Sequence, residues 1–152
     1  MREGMGLYRG KRKDNGEWVE GHNIIICKAN QGNRVFIVPT GEYIDDCKTK
    51  TGRLILVLPQ VEIDTQTVGE YTGKTDKKNK KIFEGDIVSH FINWLGKRVN
   101  GVVRYNSKDA SYSCYFDLDN EPKCAFLADW VDGNGAEIIG NVWDNPELLQ
   151  NT

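Results

Sequence analysis

Ile82-Phe83-Glu84-Gly85-Asp86-Ile87-Val88 is the stretch on which the fold class of this chain turns. Glycine reaches positive φ without steric cost, and an Asp side chain can bond the backbone of its own turn. Gly85-Asp86 therefore reads as a sharp corner between strands. The β-branched Ile87 and Val88 open the strand that follows. Upstream, Thr67 to Gly73 reads as a strand, Lys74 to Lys81 as a polar hairpin loop built on Asp76 and Asn79, and Ile82-Phe83 as the returning strand. Such a Gly-Asp corner is common where SH3-like barrels begin, so residues 67–88 are a structural element and not a catalytic centre.

Outward from this segment the apolar residues alternate or come in short solid runs, and helical periodicity is almost absent. Trp18-Val19-Glu20 and Ile24 to Cys27 predict two strands around Gly21. Arg34 to Val38 is a β-branched run closed by Pro39, and Thr40-Gly41 turns the chain into Glu42-Tyr43-Ile44. Further strands are expected at Leu54 to Leu58, Ile87 to Ile92, Gly101 to Tyr105, Tyr112 to Phe116 and Glu137 to Trp143. A turn or two of helix is expected at Ala125 to Trp130. The tail from Pro146 to Gln150 carries a helix signature, with Asn145 as N-cap and Glu147 in the first turn. The expectation is an all-β, mainly β protein in two halves: an N-terminal β region over 1–66, and a C-terminal SH3-like small barrel with a short C-terminal helix over 67–152.

Of 152 residues, 39% are hydrophobic and 28% charged, which is too much evenly spread apolar material for a disordered chain. A net charge of −2 argues against a globally cationic nucleic-acid binder but leaves room for a local basic patch. The four cysteines form no CxxC pair, and neither a signal-like apolar run nor a membrane-length segment is present. The expected location is the cytoplasm, with reduced thiols.

Three blocks carry a family resemblance. They are Tyr8-Arg9-Gly10-Lys11-Arg12 continuing through Asp14 to Gly21, then Thr67 to Val88, then Glu137 to Leu149. In these blocks, and in their order, the chain resembles the YopX family of phage and prophage proteins. The stretches 30–64 and 97–132 match no pattern of their own. The resemblance implies a phage or prophage origin in a bacterial host and possible continuity of one domain over 7–149. It implies no reaction.

The densest charge cluster is Lys74, Lys77, Lys78, Lys80 and Lys81, expected to lie near Arg98 and Arg104. Such a cluster can contact phosphates, although a run of one sign more often only solvates a hairpin tip. Phe91, Trp94, Tyr105, Tyr112, Tyr115 and Phe116 are expected mainly as core. Trp94, before Leu95-Gly96-Lys97-Arg98, is the exception, a loop aromatic beside two cations. A second basic cluster, Gly10 to Lys13, leads into an Asp14-Asn15-Gly16 hairpin turn. No metal-ligand spacing exists, and Asp117 to Glu121 reads as an acidic turn and not a calcium loop. Ser89 and His90 point to opposite faces of a strand, leaving Cys114 with His90 as the one conceivable dyad. The reading is therefore no enzyme, cofactor or metal. A protein partner or self-association is expected, nucleic acid is the alternative through the lysine hairpin, and no membrane is involved. Gly85→Val is expected to cost a few kcal/mol of stability, on the order of a strained non-glycine turn, as measured by urea unfolding.

Overall fold

The computed structural model describes residues 6–30, 32–41, 45–48, 54–57, 59–132 and 135–149. They are mostly antiparallel strand and fall into two compact units, 6–68 and 69–149, each taken by itself below. In the first unit, β1 (Leu7–Lys11) and β2 (Trp18–Ala29) form a hairpin. Its turn closes where the Arg12 amide donates to the Glu17 carbonyl at 2.9 Å and Gly16, at φ +74°, donates to Arg12 at 3.0 Å. The expected break at Gly21 does not occur, because β2 is one continuous strand. Asn23 (φ +64°) takes up an extra residue as a bulge, where the register slips between His22 and Ile24. Gly21 has a different role from a turn residue. It lies so close to β3 (Gly32–Pro39) that a Cβ there would sit 2.0 Å from the Val38 carbonyl oxygen.

After β3 come the hairpin strands β4 (Asp45–Lys48) and β5 (Leu54–Val57). The expected Glu42 to Ile44 segment and Leu58 lie outside the described residues. A short strand not foreseen, β6 (Val61–Ile63), pairs with β3, giving the order β6-β3-β2-β1 in this unit. Its core is Val35, Ile37 and Ile63, with Tyr8, Val19, Ile24 and Val68 packed around them. Asp64 caps a 3-10 turn at Thr65–Thr67, and Thr67 Oγ1 accepts from the Lys11 amide at 2.8 Å.

In the second unit, β7 (Gly69–Thr75) and β8 (Lys81–Phe83) form the expected hairpin. The chain then turns at Gly85 into β9 (Asp86–Ile92), followed by β10 (Lys97–Asn106), β11 (Ser111–Leu118), β12 (Glu121–Phe126), helix α1 (Leu127–Asp132) and β13 (Glu137–Asn141). The five-stranded sheet runs β12-β11-β10-β9-β13. Strand β12 was missed because the acidic stretch ahead of it hides a two-residue hairpin turn. Asp119 (φ +53°) and Asn120 (φ +63°) both adopt the left-handed conformation that such a turn requires. The helix begins at Leu127, two residues later than expected, because Ala125 and Phe126 still pair with Cys114 and Ser113. The tail makes one 3-10 turn, Pro146–Leu149, and Gln150 lies outside the described residues.

The core of this unit is Ile82, Val88, Val99, Val103, Cys114, Leu127, Trp130 and Ala136. Gly85 sits at φ +84°. Its amide donates to the Val103 carbonyl at 2.8 Å and its carbonyl accepts from the Val142 amide at 3.0 Å. Beside it, the fully buried Asp86 accepts the Phe83 amide on Oδ2 at 2.8 Å. A Cβ on Gly85 would meet Cη2 of Trp143 at 2.2 Å, whereas Gly73, also at positive φ (+80°), faces open space. Gly73→Ala should therefore cost only the backbone term, about 1 kcal/mol. Gly85→Ala should cost about 1–3 kcal/mol more, from the forced shift of the indole ring. Urea midpoints of the two variants, at equal m-values, measure the difference, and equal losses would remove Trp143 from the account.

Candidate functional site

The lysine loop is held down and not free. Asp76, itself buried, accepts the amides of Lys78 (2.8 Å) and Lys80 (2.9 Å) on Oδ1 and the amide of Ile138 (3.3 Å) on Oδ2. The Lys77 amide donates to the Ala136 carbonyl at 3.0 Å. The loop is thus clamped to the start of β13, and its side chains meet carboxylates there. Lys77 and Lys78 both pair with Glu137, and Lys74 reaches Asp132 at 3.3 Å. These two ammonium groups hold the Glu137 carboxyl at about 2, well below its usual range, chiefly through their hydrogen bonds. Three of the five lysines are thus paired with two carboxylates, and much of the positive field expected from the sequence is cancelled locally.

The N-terminal basic cluster behaves likewise. Arg12 pairs with Asp14 at 2.6 Å, while Lys13 (3.0 Å) and Arg34 (2.5 Å) share Glu62. Hydrogen bonds from Arg34 and then Lys13 hold the Glu62 carboxyl at about 2. Arg9 and Lys11 stand over the Trp18 ring at 4.8 and 5.6 Å.

Lys97 and Arg98 make no ion pair among the described residues. They stand where β9 turns into β10, a turn closed by the Leu95 and Gly96 amides donating to the Ile92 carbonyl at 3.1 and 2.9 Å. Gly96 takes φ +65° there, and Leu95 packs onto the core. With its neighbour turned inward, Trp94 projects outward and is 77% exposed. Phe91, directly across from Arg98 in the register, is also exposed. Two exposed aromatics and two uncompensated cations thus share one rigid tip. Arg98 and Arg104 do not form one patch, since six residues of extended strand, roughly 20 Å, separate them along β10.

The aromatic set divides. Tyr112 and Phe116 pack against the core as expected, whereas Phe91 and Tyr105 join Trp94 on the surface; Phe91, three residues after Val88 and one before Ile92, points to the face of β9 opposite those core-packed residues. His90 packs against Trp130 at 5.1 Å. Burial, opposed by a hydrogen bond to the Trp130 backbone and aided by the nearby charge of Arg98, pushes its pKa down. Cys114 does not form a dyad with it. His90 faces Val99 and Cys114 faces Val103, so they lie on different strands and four residues apart along β10. Burial also raises the Cys114 thiol to about 12, which keeps it protonated. Among the described residues no three His, Cys, Asp or Glu side chains converge as metal ligands, and no helix is long and apolar enough to cross a membrane.

Residues 7–150 match the family described as YopX protein. The chain belongs to the YopX family. No curated protein is similar to it. Among solved structures it is similar to that of protein EF1440 from Enterococcus faecalis, with 20% identity over 93% of this chain and 96% of that one and a TM-score of 0.57, a likeness of fold alone. In this YopX-family chain, two of the three blocks that carried the resemblance meet at one point. Gly85 of the second block bonds Val142 of the third and lies under its Trp143. The partners of the lysines, Asp132 and Glu137, were missed by sequence reasoning, since nothing local marks a carboxylate as the neighbour of a lysine some 59 positions away.

If Lys77 and Lys78 are engaged as described, the Glu137 carboxyl should titrate near 2 by carbon-13 NMR. In a Lys77→Gln/Lys78→Gln variant it should return toward 4.5. Because the folded-state value is depressed, the stabilisation from this contact is complete above about pH 4.5 and is lost as pH falls through about 2. A wild-type midpoint near 4.5 would mean the loop lysines are free.

Proposed function

We propose that this YopX-family protein is a non-catalytic, protein-binding module that engages its partner through the β9–β10 tip. The observation that carries this reading is Trp94, 77% exposed on a turn whose backbone is fixed by its own hydrogen bonds. A large apolar ring held in water costs solvation that a binding partner recovers, and Trp and Arg lead the residues that dominate interface energetics. Lys97 and Arg98, which make no ion pair among the described residues, favour an acidic surface on the partner. A nucleic-acid partner is the second reading, supported by the same pairing of rings and cations. Neutralisation of Lys74, Lys77 and Lys78 counts against the lysine loop as a phosphate surface. The exposed, unbridged thiols of Cys27 and Cys124 support a reducing compartment, the bacterial cytoplasm of a phage or prophage host.

A photo-crosslinking residue placed at position 94, and separately at position 80, tests the reading in expressing cells. A discrete protein adduct from position 94 that survives nuclease treatment is expected. An adduct that disappears with nuclease, or its absence at 94 but not at 80, would overturn it. For the purified partner, Trp94→Ala should weaken binding by about 2 kcal/mol or more, roughly thirtyfold, by titration calorimetry.

A further inference from the structure

At the far end of the same sheet lies a cavity of about 330 Å³ lined by Lys74, Ser111, Tyr112, Phe126, Leu127 and Asp129, with Thr72 and Ala128 at its margin. Its size falls within the range of small-ligand sites, and a cavity of about 150 Å³ already holds a benzene ring, so a bicyclic ring fits here. The walls suit one. Leu127 is fully buried, Tyr112 packs on the core, and Phe126 is half exposed at the mouth. Within it, Ser111 Oγ is buried with no hydrogen-bond partner. That oxygen is sealed from solvent, so an occupant of the cavity meets its apolar walls and not the hydroxyl. At the mouth, Asp129 makes no ion pair among the described residues, while Asp132 holds Lys74.

Resting on the reading of Trp94 as the contact residue, we infer that this cavity receives Trp94 of a second copy of the chain. The ring and the cavity match in size. Lys97 and Arg98, flanking the ring, arrive opposite Asp129, so charge complements charge. The ring cannot fill the cavity of its own copy. Trp94 lies at the Lys97 end of β10, while Ser111 and Tyr112 lie beside Tyr105 at the other end, roughly 26 Å away along a rigid strand. The contact therefore joins a different surface on each copy. It is made twice in a reciprocal two-fold dimer, and where that geometry does not close it passes head-to-tail along successive copies.

Complementation distinguishes this ring-in-cavity contact from one in which a patch meets the same patch on the other copy. Trp94→Ala keeps the cavity and loses the ring, and Ala128→Trp keeps the ring and fills the cavity. Asp129→Lys, an exposed change with little risk to folding, serves as a second cavity-end variant. By sedimentation velocity from about 1 to 500 μM, bounds spanning ordinary self-association, the wild type should associate to a dimer or beyond. Each variant alone should remain monomeric or weaken at least tenfold, and Trp94→Phe should fall between. Trp94→Ala mixed with either cavity-end variant should restore association and stop at a 1:1 dimer. A monomeric wild type across the range, or a mixture that does not pair, would overturn the inference. In that case a nuclease-resistant adduct from position 94 to a different protein would leave the binding-module reading standing, and loss of that adduct as well would remove both.

Discussion

Gly85 is the joint on which the second unit depends. Its amide and carbonyl bond two different segments, the Val103 carbonyl on β10 and the Val142 amide just past β13, while the Trp143 ring lies against its α-carbon. A residue that must present both backbone groups, hold φ at +84° and leave no side chain under an indole can only be glycine. Asp86 secures the corner from the other side by taking the Phe83 amide into a fully buried carboxylate. Because β9 begins there and pairs with both β10 and β13, the corner sets the register of β9 against both neighbours. A one-residue slip in that register would exchange the faces of Val88 and Ser89, and with them the core.

The same register determines where the positive charge ends up. Clamped through Asp76 onto β13, the lysine loop is brought beside Glu137, and Lys74 beside Asp132. Exposed ion pairs of this kind add little to stability, on the order of 0–1 kcal/mol each. Their larger effect is on the field. They neutralise three lysines of the most conspicuous basic cluster in the sequence, whereas Lys97 and Arg98, a less conspicuous pair near Trp94 in sequence, make no ion pair among the described residues. A surface is thus selected for interaction as much by what the fold neutralises elsewhere as by what it displays.

How much was legible in advance depended on the range of the interaction involved. The Asp14-Asn15-Gly16 hairpin, the strand closed by Pro39, the Asp76 and Asn79 loop and the Gly85 corner were all visible, because turn chemistry and period-two patterning are written in adjacent residues. The continuity of β2 was not visible. Gly21 looks like a turn until Val38 is known to pass 2.0 Å from where its Cβ would stand. Strand β12 was hidden because Asp119 and Asn120 adopt positive φ without glycine to announce it. Trp94 was already singled out as a loop aromatic beside two cations, while its rigidity came from hydrogen bonds to Ile92 that no composition reveals.

By itself the sequence determined the all-β class, the positions of most turns and membership of a family, since each rests on local conformational preference or on ordered blocks of residues. Only the tertiary structure decided which lysines are neutralised, which aromatics reach solvent, and that a partnerless serine lines a cavity at the opposite end of the sheet from an exposed tryptophan. Those outcomes depend on residues tens of positions apart coming within a few ångströms. Electrostatic and packing energies act over those short distances and take no account of separation along the chain.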